Sequence, residues 1–349
     1  MKATFILRKE FKAFERRTPL TPANAKKIIE AGHSVKVETC PDRIFKDSEY
    51  QEVGCEITPI ESWKQEDERS FILGLKELPL DSFPLKHRHI YFAHIFKGQD
   101  GHKEVLNRYI QGNGQHFDLE YLVDENSRRV AAFGKWAGFV GAAISLDRFY
   151  QKQLNTPYPA MKSFEDINGL YSQISSHKEE STRNPRAIII GAKGRCGSGA
   201  KEVFDHFGVE TTLWDYEETK AGGPFKEIAE HDIFVNCVLM TTKVPPFITK
   251  DILAGNKNLS IIGDVSCDPT SNLNPIPIYD DITSWEKPFV ETCGLELLAV
   301  DNLPSLLPRE SSVDFSDQLT PHLLNLATKG IEDPVWKAAL DTFNKFSKS

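Results

Sequence analysis

The most constraining feature of the sequence is a glycine-rich turn that joins a β-branched segment to a helical one. Residues 187–190 predict a buried strand, and glycines follow at every third position from Gly191 to Gly197. Such a turn lets the backbone approach a pyrophosphate closely, and the next helix, predicted over residues 198–207, offers free N–H groups at its start. Because Lys193 stands where GxGxxG has its second glycine, the turn taken alone also fits an ordinary loop.

An acidic residue after the next strand favours the nucleotide interpretation. Residues 211–214 predict a second strand, which ends in Asp215, about 20 residues beyond the turn. A carboxylate here accepts hydrogen bonds from ribose hydroxyls and repels a 2′-phosphate, so the pattern favours NAD over NADP. Two further predicted strands, 233–237 and 261–265, bring Leu239 and Val265 to the walls of the nicotinamide half.

Composition restricts the class of protein. The 349 residues contain 40% hydrophobic and 26% charged residues, which is typical of a globular enzyme, and the net charge of -8 argues against nucleic acid as a partner. No apolar run reaches the roughly 18 residues that a membrane span needs. The N-terminal residues lack a signal-peptide pattern, so we expect a cytoplasmic enzyme; the C-terminus resembles the SKL peroxisomal signal without matching it, which leaves a peroxisome as the alternative.

Six scattered cysteines contain no CxxC pair, which argues against a zinc site and predicts that no metal is bound. Cys196 follows the first predicted strand of the nucleotide half, and Cys237 ends what we count as its fourth. If these strands are neighbours, the two thiols come within disulfide reach, and a disulfide at the mouth of the cofactor site would hinder NAD binding. Two inert thiols are the alternative.

Strand and helix signals also alternate over the first 130 residues. Repeated alternation predicts parallel sheets covered by helices, and we expect an α/β protein with two Rossmann-like doubly wound domains and an active site in the cleft between them. A segment rich in small residues, 130–146, predicts a buried helix that crosses between the domains, whereas residues 175–185 resemble a surface connection. The predicted domains are 1–132 plus 312–349, for substrate and catalysis, and 133–311, for NAD.

Two apolar segments of the first half end in residues suited to acid–base chemistry. Lys76 follows one of them, beside Glu77, and His94 follows the other. Burial lowers the pKa of a lysine towards neutrality, and histidine changes its charge near neutral pH. An ordinary ion pair for Lys76 and a structural role for His94 are the alternatives. The arginine pairs 16–17 and 128–129 suit carboxylate ligands, although such pairs also occur on solvated faces.

Taken together, these segments resemble one family. The motifs that carry the resemblance are residues 15–22, 74–77, 92–94, 118–120, 191–200 and 301–310, which run in unbroken order along the chain. They resemble those of the lysine-forming saccharopine dehydrogenases of the fungal α-aminoadipate pathway. Alanine dehydrogenase and the transhydrogenase nucleotide domains are wider relatives with the same two-domain layout.

The resemblance implies that saccharopine, NAD⁺ and water give L-lysine, 2-oxoglutarate and NADH in the final step of lysine biosynthesis. It assigns Lys76 to the proton of the secondary amine and His94 to imine hydrolysis, with Glu77 and Glu120 adjusting the pKa of these groups. The three carboxylates of saccharopine account for the arginines. A monomer with small-molecule partners only is expected.

The resemblance also implies the ligand contacts. Those to substrate are Arg17, Gln99, Arg129, Phe133, Ser266, Cys267 and Asp268. Those to NAD are Arg128, Gly194, Arg195, Asp215, Thr219, Val300, Asp301, Asn302 and Leu303, in addition to Leu239 and Val265 from the strand ends. Leu239 departs from the family, because an aromatic side chain can occupy this place, and Cys267 is a second departure.

Two alternative functions follow from the same residues. An alanine-dehydrogenase-like amino-acid dehydrogenase also uses a lysine and a histidine, but its substrate has one carboxylate and does not explain the arginines. An NAD-binding regulatory protein without catalysis would be expected to lack Lys76, His94 or Arg17, and the sequence contains all three.

Overall fold

The computed structural model describes residues 2–96, 101–154, 156–255 and 258–347, and the chain divides into two compact units. Unit 1 runs from the N-terminus to Ala132 and resumes at Pro308, and unit 2 is Phe133–Leu307. The sequence placed the second boundary after residue 311. The structure places it earlier because a continuous helix begins at Pro308 and belongs to unit 1.

A parallel sheet forms the centre of unit 1. Its described strands are β1 (Thr4–Leu7), β2 (Ser34–Glu38), β3 (Glu56–Thr58), β4 (Phe71–Leu73), β5 (Arg88–Tyr91) and β6 (Gln115–Asp118), and its first helices are α1 (Pro22–Glu30), α2 (Asp47–Glu52) and α3 (His102–Gly112). The strand order is β3-β2-β1-β4-β5-β6. This order reverses between β1 and β4, and ligands of doubly wound sheets bind beyond the carboxyl ends of strands at such a point.

The strands of unit 1 are shorter than the sequence predicted. β4 ends at Leu73 and β5 at Tyr91, so Lys76 and His94 lie on the segments that follow these strands. The sequence also predicts a strand around residues 117–122, and this strand is observed as Gln115–Asp118. The prediction extended too far because apolar residues such as Leu75 and Leu122 are buried in the loops as well.

Unit 2 contains the glycine turn and a second sheet. Its elements are α4 (Gly134–Gln153), α5 (Ile167–Glu180), β7 (Arg186–Ile190), α6 (Arg195–Phe207), β8 (Glu210–Trp214), α7 (Tyr216–Thr219), β9 (Ile233–Asn236), α8 (Lys250–Ala254), β10 (Ile261–Asp264), β11 (Phe289–Thr292) and β12 (Leu295–Leu298). The order is β11-β12-β10-β9-β7-β8, and the pairing is parallel except between β11 and β12.

Small residues allow α4 to lie directly against α6. A Cβ on Gly138 would fall 1.8 Å from the Cys196 oxygen, and one on Gly199 would fall 2.0 Å from the Lys135 oxygen. The prediction of a buried helix here is confirmed, but α4 lies wholly within unit 2 and does not cross between domains. The predicted surface connection 175–185 is wrong in its first half, because α5 continues to Glu180.

The C-terminal residues complete unit 1 with α9 (Pro308–Lys329) and α10 (Pro334–Ser347). Serines of α9 accept main-chain hydrogen bonds from the N-terminal segment: Thr18 donates to Ser312 Oγ at 2.9 Å and Thr21 to Ser316 Oγ at 3.0 Å. On α10, Trp336 is fully buried and its ring lies 5.7 Å from that of Phe117. Among the described residues, no helix is both long enough and apolar enough to cross a membrane.

Candidate active site

Lys76 lies in a partly buried environment just beyond β4, near charged side chains of both signs. Burial lowers the pKa of its amine, and the nearby Arg17 guanidinium lowers it further, while Glu15 acts in the opposite direction. Arg17 is itself held by Glu15, through Nε–Oε1 at 2.8 Å and Nη2–Oε2 at 2.6 Å. A lysine with a lowered pKa is a better proton acceptor near neutral pH, so the structure supports the acid–base interpretation of Lys76 over an ordinary surface ion pair.

Glu15 remains ionised although it is almost completely buried. Burial raises the pKa of its carboxyl, but the charge and hydrogen bonds of Arg17 outweigh this and lower the pKa to about 2. The Glu15–Arg17 pair therefore supplies a fixed positive and a fixed negative charge beside Lys76.

His94 pairs with Glu77 just beyond β5. Its Nδ1 lies 2.6 Å from Glu77 Oε1, and this hydrogen bond raises the pKa of His94 despite the opposing effect of burial. Burial raises the pKa of Glu77, but the bond to His94 outweighs it and lowers the pKa to about 2. When Nδ1–H donates to Glu77, Nε2 is the ring nitrogen left for proton exchange with a ligand.

The backbone of His94 is strained, and the neighbouring strand holds it in place. Its φ of 54° is in the left-handed region, which costs a non-glycine residue of order 1 kcal/mol or more. The N–H of Ala93 donates to Asp118 Oδ2 at 3.2 Å, and the N–H of Glu120 donates to Asp118 Oδ1 at 2.9 Å. Asp118 thus ties together the segments that carry His94 and Glu120.

For the other predicted ligand residues of the first half that it describes, the structure gives the position in the fold but tests no ligand contact. Arg128 and Arg129 are exposed on a hairpin that closes between Val123 and Arg129, and their contacts remain predictions. Phe133 is the residue before α4. Gln99 falls outside the described residues.

The glycine turn in unit 2 has the geometry that its sequence predicts. Gly191 has a φ of 87°, and a Cβ on Gly197 would lie 2.2 Å from the Gly191 oxygen. Helix α6 begins at Arg195, three residues earlier than predicted, with Gly194 before it. The N-terminal N–H groups of α6 therefore follow the turn directly, as a pyrophosphate site requires.

A cavity of 520 Å³ opens beside this turn. Its lining includes Gly191, Gly194, Asp215, Thr219, Cys237 and Leu239. The volume is within the usual range for a cofactor site. Leu239 is 68% exposed and offers an apolar but non-aromatic wall.

Asp215 is positioned as a hydrogen-bond acceptor at the edge of this cavity. Oδ2 accepts the Lys193 N–H at 2.8 Å and Oδ1 accepts the Tyr216 N–H at 2.9 Å. The bond from Lys193 is the main cause of a lowered pKa, so the carboxylate stays charged at neutral pH. The turn, the helix start and this carboxylate together fit the pyrophosphate and ribose of NAD.

The remaining predicted cofactor residues differ in accessibility. Val300 and Leu303 are buried in the hydrophobic core, so a contact from them to a ligand would use the main chain. Asp301 is exposed, Asn302 is half-buried, and Arg195 is exposed at the first position of α6. Val265 packs close to α4, since a Cβ on Gly141 would lie 2.6 Å from its Cγ2.

A buried carboxylate organises the predicted substrate segment of unit 2. Ser266 Oγ donates to Asp264 Oδ1 at 2.7 Å, and Cys267 Sγ donates to the Ala299 oxygen at 2.9 Å. Burial raises the pKa of Cys267 to about 12, so this thiol is unreactive at neutral pH. Asp268 follows them on the same loop and is exposed.

Cys196 and Cys237 are free thiols in the structure, so the disulfide is not formed in this state. Cys237 follows β9, which is the third strand of unit 2 and not the fourth; β9 does pair with β7, as the disulfide hypothesis requires. Burial raises the pKa of Cys237, and a side-chain hydrogen bond with Cys196 raises it further. Within the described ranges, no group of His, Cys, Asp and Glu could hold a metal ion.

Sequence comparisons assign this geometry to a family. The alanine dehydrogenase/PNT N-terminal domain model matches residues 6–140 and the corresponding C-terminal domain model matches residues 199–343. Saccharopine dehydrogenase [NAD(+), L-lysine-forming] of Neurospora crassa is 43% identical, over 97% of this chain and 95% of that protein. The protein of the same name from Schizosaccharomyces pombe is 44% identical, over 95% of each. The chain belongs to the L-lysine-forming saccharopine dehydrogenase family.

Solved structures confirm the fold of this family member. An L-alanine dehydrogenase superposes with a TM-score of 0.69 at 18% identity, covering 97% of this chain and 94% of that one. A transhydrogenase from Sinorhizobium meliloti has a TM-score of 0.66 at 16% identity, covering 97% of each. The predictions of two Rossmann-like parallel-sheet domains and of the family are confirmed.

Sequence reasoning missed two residues that lie next to the candidate base. Arg8 and Glu10 follow β1, and both contact the main chain of Lys76. The sequence signal that could have found them is that charged residues follow the apolar residues 5–7 of the first strand. Their partner is distant in sequence, so no local pattern identifies it.

Proposed function

We propose that this protein oxidises saccharopine with NAD⁺ and water to L-lysine, 2-oxoglutarate and NADH, the final step of lysine biosynthesis. The observation that carries the proposal is the pairing of two acid–base groups at one edge of the unit 1 sheet. Lys76 has a lowered pKa and His94 a raised one, and the charge of Lys76 acts on His94. Groups whose environments move their pKa values towards each other suit two successive proton transfers near neutral pH.

In the first step, Lys76 in its neutral form takes the proton from the secondary amine of saccharopine. Bound NAD⁺ would supply the hydride acceptor for the carbon next to that nitrogen, and loss of the proton and the hydride would leave an imine. The positive charge of Arg17 disfavours a protonated Lys76 before substrate binds. The Glu15 carboxylate limits this effect, so that Lys76 can still accept the proton.

In the second step, His94 acts on water. Nε2 accepts a proton as water adds to the imine carbon, and the imidazolium is stabilised by Glu77, 2.6 Å from Nδ1. His94 returns this proton to the nitrogen, which gives a carbinolamine. It then takes the proton of the new hydroxyl and passes it to the nitrogen as the C=O bond forms and the C–N bond breaks, which releases L-lysine and 2-oxoglutarate. No step requires a metal ion.

Substrate carboxylates are proposed to contact Arg17 and Arg129, since guanidinium binds carboxylate with two parallel hydrogen bonds. The proposal extends to Gln99, Phe133 and the loop at Ser266. Glu120 is proposed to influence His94 from the segment that follows Asp118, and Arg128 to contact the cofactor.

A spectrophotometric assay tests the proposed reaction. Purified protein with NAD⁺ and saccharopine is expected to produce NADH, with L-lysine and 2-oxoglutarate in equal amounts. NADP⁺ in place of NAD⁺ should give much less product, because Asp215 repels a 2′-phosphate. Turnover of alanine without turnover of saccharopine would overturn the assignment, and NAD⁺ binding without turnover of either substrate would favour a regulatory protein.

We also propose that a two-electron oxidant, such as a small-molecule disulfide, can convert the thiols of Cys196 and Cys237 to a disulfide that blocks the nucleotide cavity, which Cys237 lines. Loss of NAD⁺ binding after mild oxidation, reversed by dithiothreitol and absent in Cys196→Ser, is the expected result. If Cys196→Ser loses binding to the same extent, another site is responsible.

A cytoplasmic monomer is proposed, in line with the composition. A single species of one chain in sedimentation would support it, as would a diffuse fluorescent fusion; peroxisomal puncta would contradict the location.

A further inference from the structure

The main chain of Lys76 is held by a buried ion pair that follows β1. Arg8 and Glu10 have side chains that are 0% and 6% exposed, and Arg8 Nη1 lies 3.5 Å from Glu10 Oε2. Both residues follow the first strand, next to β4, at the point where the sheet order reverses. The pair therefore lies between the carboxyl end of β1 and the carboxyl end of β4, the strand that leads to Lys76.

These two side chains continue the ladder of hydrogen bonds after the strands separate. The last backbone bond between the two segments runs from Arg8 N–H to the Leu73 oxygen at 3.0 Å. Beyond it, Glu10 Oε1 accepts the Leu75 N–H at 2.7 Å and Oε2 accepts the Lys76 N–H at 2.9 Å. Arg8 Nη2 donates to the Lys76 oxygen. One ion pair thus binds both polar groups of the Lys76 main chain.

The surroundings leave Arg8 little freedom to adopt another position. Its guanidinium lies over the Tyr91 ring, 5.2 Å from the centroid, and Nη1 donates to the Lys9 oxygen at 2.9 Å. A Cβ on Gly74 would fall 2.4 Å from Arg8 Cζ, so the absence of a side chain at Gly74 makes room for the guanidinium. The arrangement fixes the point from which the Lys76 side chain extends.

We propose that Arg8 and Glu10 are positioning residues, which hold the main chain of Lys76 so that its amine is placed for proton transfer. The inference rests on the proposed function, because it concerns the residue that takes the substrate proton. Misplacement of a reacting group by about 1 Å can cost 10²-fold in rate. A buried ion pair that served only stability would leave the rate of the folded enzyme unchanged.

The test uses the full-length enzyme and three variants. Glu10→Gln removes one acceptor, Arg8→Lys keeps the charge but loses the planar donor geometry, and Gly74→Ala displaces the guanidinium without changing any charge. The matched control is Arg108→Lys. Arg108 is also a buried arginine that binds main-chain oxygens, those of Phe83 and Pro79 at 2.9 Å each, but it does so on α3.

The expected result is a fall in kcat of about 10–100-fold for the three variants, with KM for NAD⁺ unchanged and Arg108→Lys close to the wild type. A second measurement does not depend on saccharopine: the pH dependence of acetylation of Lys76 by acetic anhydride, followed by mass spectrometry. Displacement of Lys76 towards solvent should move the midpoint to higher pH in all three variants. Loss of the Glu10 charge alone would move it to lower pH, because a carboxylate stabilises an ammonium ion.

The outcomes separate this inference from the proposed function. If the variants are less stable but keep the wild-type kcat and midpoint, the positioning role is wrong and the pair serves stability alone. A downward shift confined to Glu10→Gln likewise contradicts positioning. Wild-type protein that does not oxidise saccharopine contradicts the proposed function, while the acetylation midpoints still decide whether the pair positions Lys76. If Glu10→Gln does not fold, Arg8→Lys and Gly74→Ala give the decision.

Discussion

The strands of unit 1 end in charged side chains that bind one another, whereas those of unit 2 end in a glycine turn and a cavity. Beyond β1 and β5, Arg8 and His94 each bind an acidic side chain, and beyond β4 nearby charges act on Lys76. Beyond β7, Gly191 and Gly194 offer main-chain groups. Proton transfer requires adjusted pKa values, and nucleotide binding requires close access to the backbone. The two sheets share an architecture, but the strand ends of unit 1 suit proton transfer and those of unit 2 suit nucleotide binding.

The largest effect should follow from loss of the base in unit 1. Lys76→Met is expected to lower kcat by about 10²–10⁴-fold, because the proposed reaction uses this amine to take the substrate proton, and His94→Gln should act on a similar scale. The Kd for NAD⁺, measured by fluorescence titration, should not change in either variant. If NAD⁺ binding weakens together with kcat, the separation of tasks between the two sheets is wrong.

A glycine of unit 2 should show the opposite behaviour. In Gly197→Ala the added Cβ would lie 2.2 Å from the Gly191 oxygen, so the turn must distort. We expect the Kd for NAD⁺ to rise about 10–100-fold, which corresponds to about 1.4–2.8 kcal/mol. Gly255→Ala is the control, since a Cβ there meets no atom within 4 Å. Equal effects of the two variants would show that the turn geometry is not the cause.

A smaller change tests the pair His94–Glu77. In Glu77→Gln the partner that raises the pKa of His94 loses its charge, while burial and the Lys76 charge still lower it. The pKa of His94 should fall, so neutral His94 persists to lower pH. The acidic limb of kcat/KM against pH should therefore move to lower pH, and Glu77→Asp should move it less. A shift to higher pH would show that His94 does not govern this limb.

The smallest effect concerns stability in acid. His89 is fully buried in unit 1, packed edge-on against Trp63 at 5.1 Å, and burial places its pKa well below 6.5. Below about pH 6.5 the unfolded chain binds a proton at this site that the folded protein does not, so stability decreases as the pH falls. Between pH 7 and pH 5 this loss reaches about 2 kcal/mol at most.

His89→Phe should reduce that loss in urea unfolding at the two pH values, because phenylalanine keeps the ring and removes the titration. The exposed His206 of unit 2 offers a matched control, His206→Gln. If the loss of unfolding free energy between pH 7 and pH 5 is unchanged in His89→Phe, a group other than His89 causes it.

The nucleotide-binding half could be predicted from the sequence because its signals are local. The turn at Gly191, the following helix and Asp215 lie within a short stretch, and each depends on its own residue type. Lys76 and His94 were found because a polar residue directly follows an apolar segment. The structure adds the strained φ of His94 and the lowered pKa of Lys76, which depend on neighbours that the sequence does not place.

Features that depend on distant partners could not be read in this way. Glu10 binds the N–H groups of Leu75 and Lys76 across a large sequence separation. Helix α5 was misread because its second half is polar, although Asp166 caps it by accepting from Asn168 and Gly169. The paired β11 and β12 are short and join at Cys293 and Gly294, both with positive φ, and no alternating pattern marks them.

The return of α9 and α10 to unit 1 has a consequence for synthesis on the ribosome. Unit 2 is one continuous stretch, whereas Thr18, Thr21 and Asn24 near the N-terminus find their partners Ser312 and Ser316 only when the last part of the chain has emerged. Because domains fold as units during translation, unit 2 can fold before the final helices of unit 1 have been synthesised. Chains truncated after Leu307 and released from the ribosome should already protect unit 2 from protease and leave the N-terminal segment open to cleavage. The half of the molecule made first is thus the half completed last.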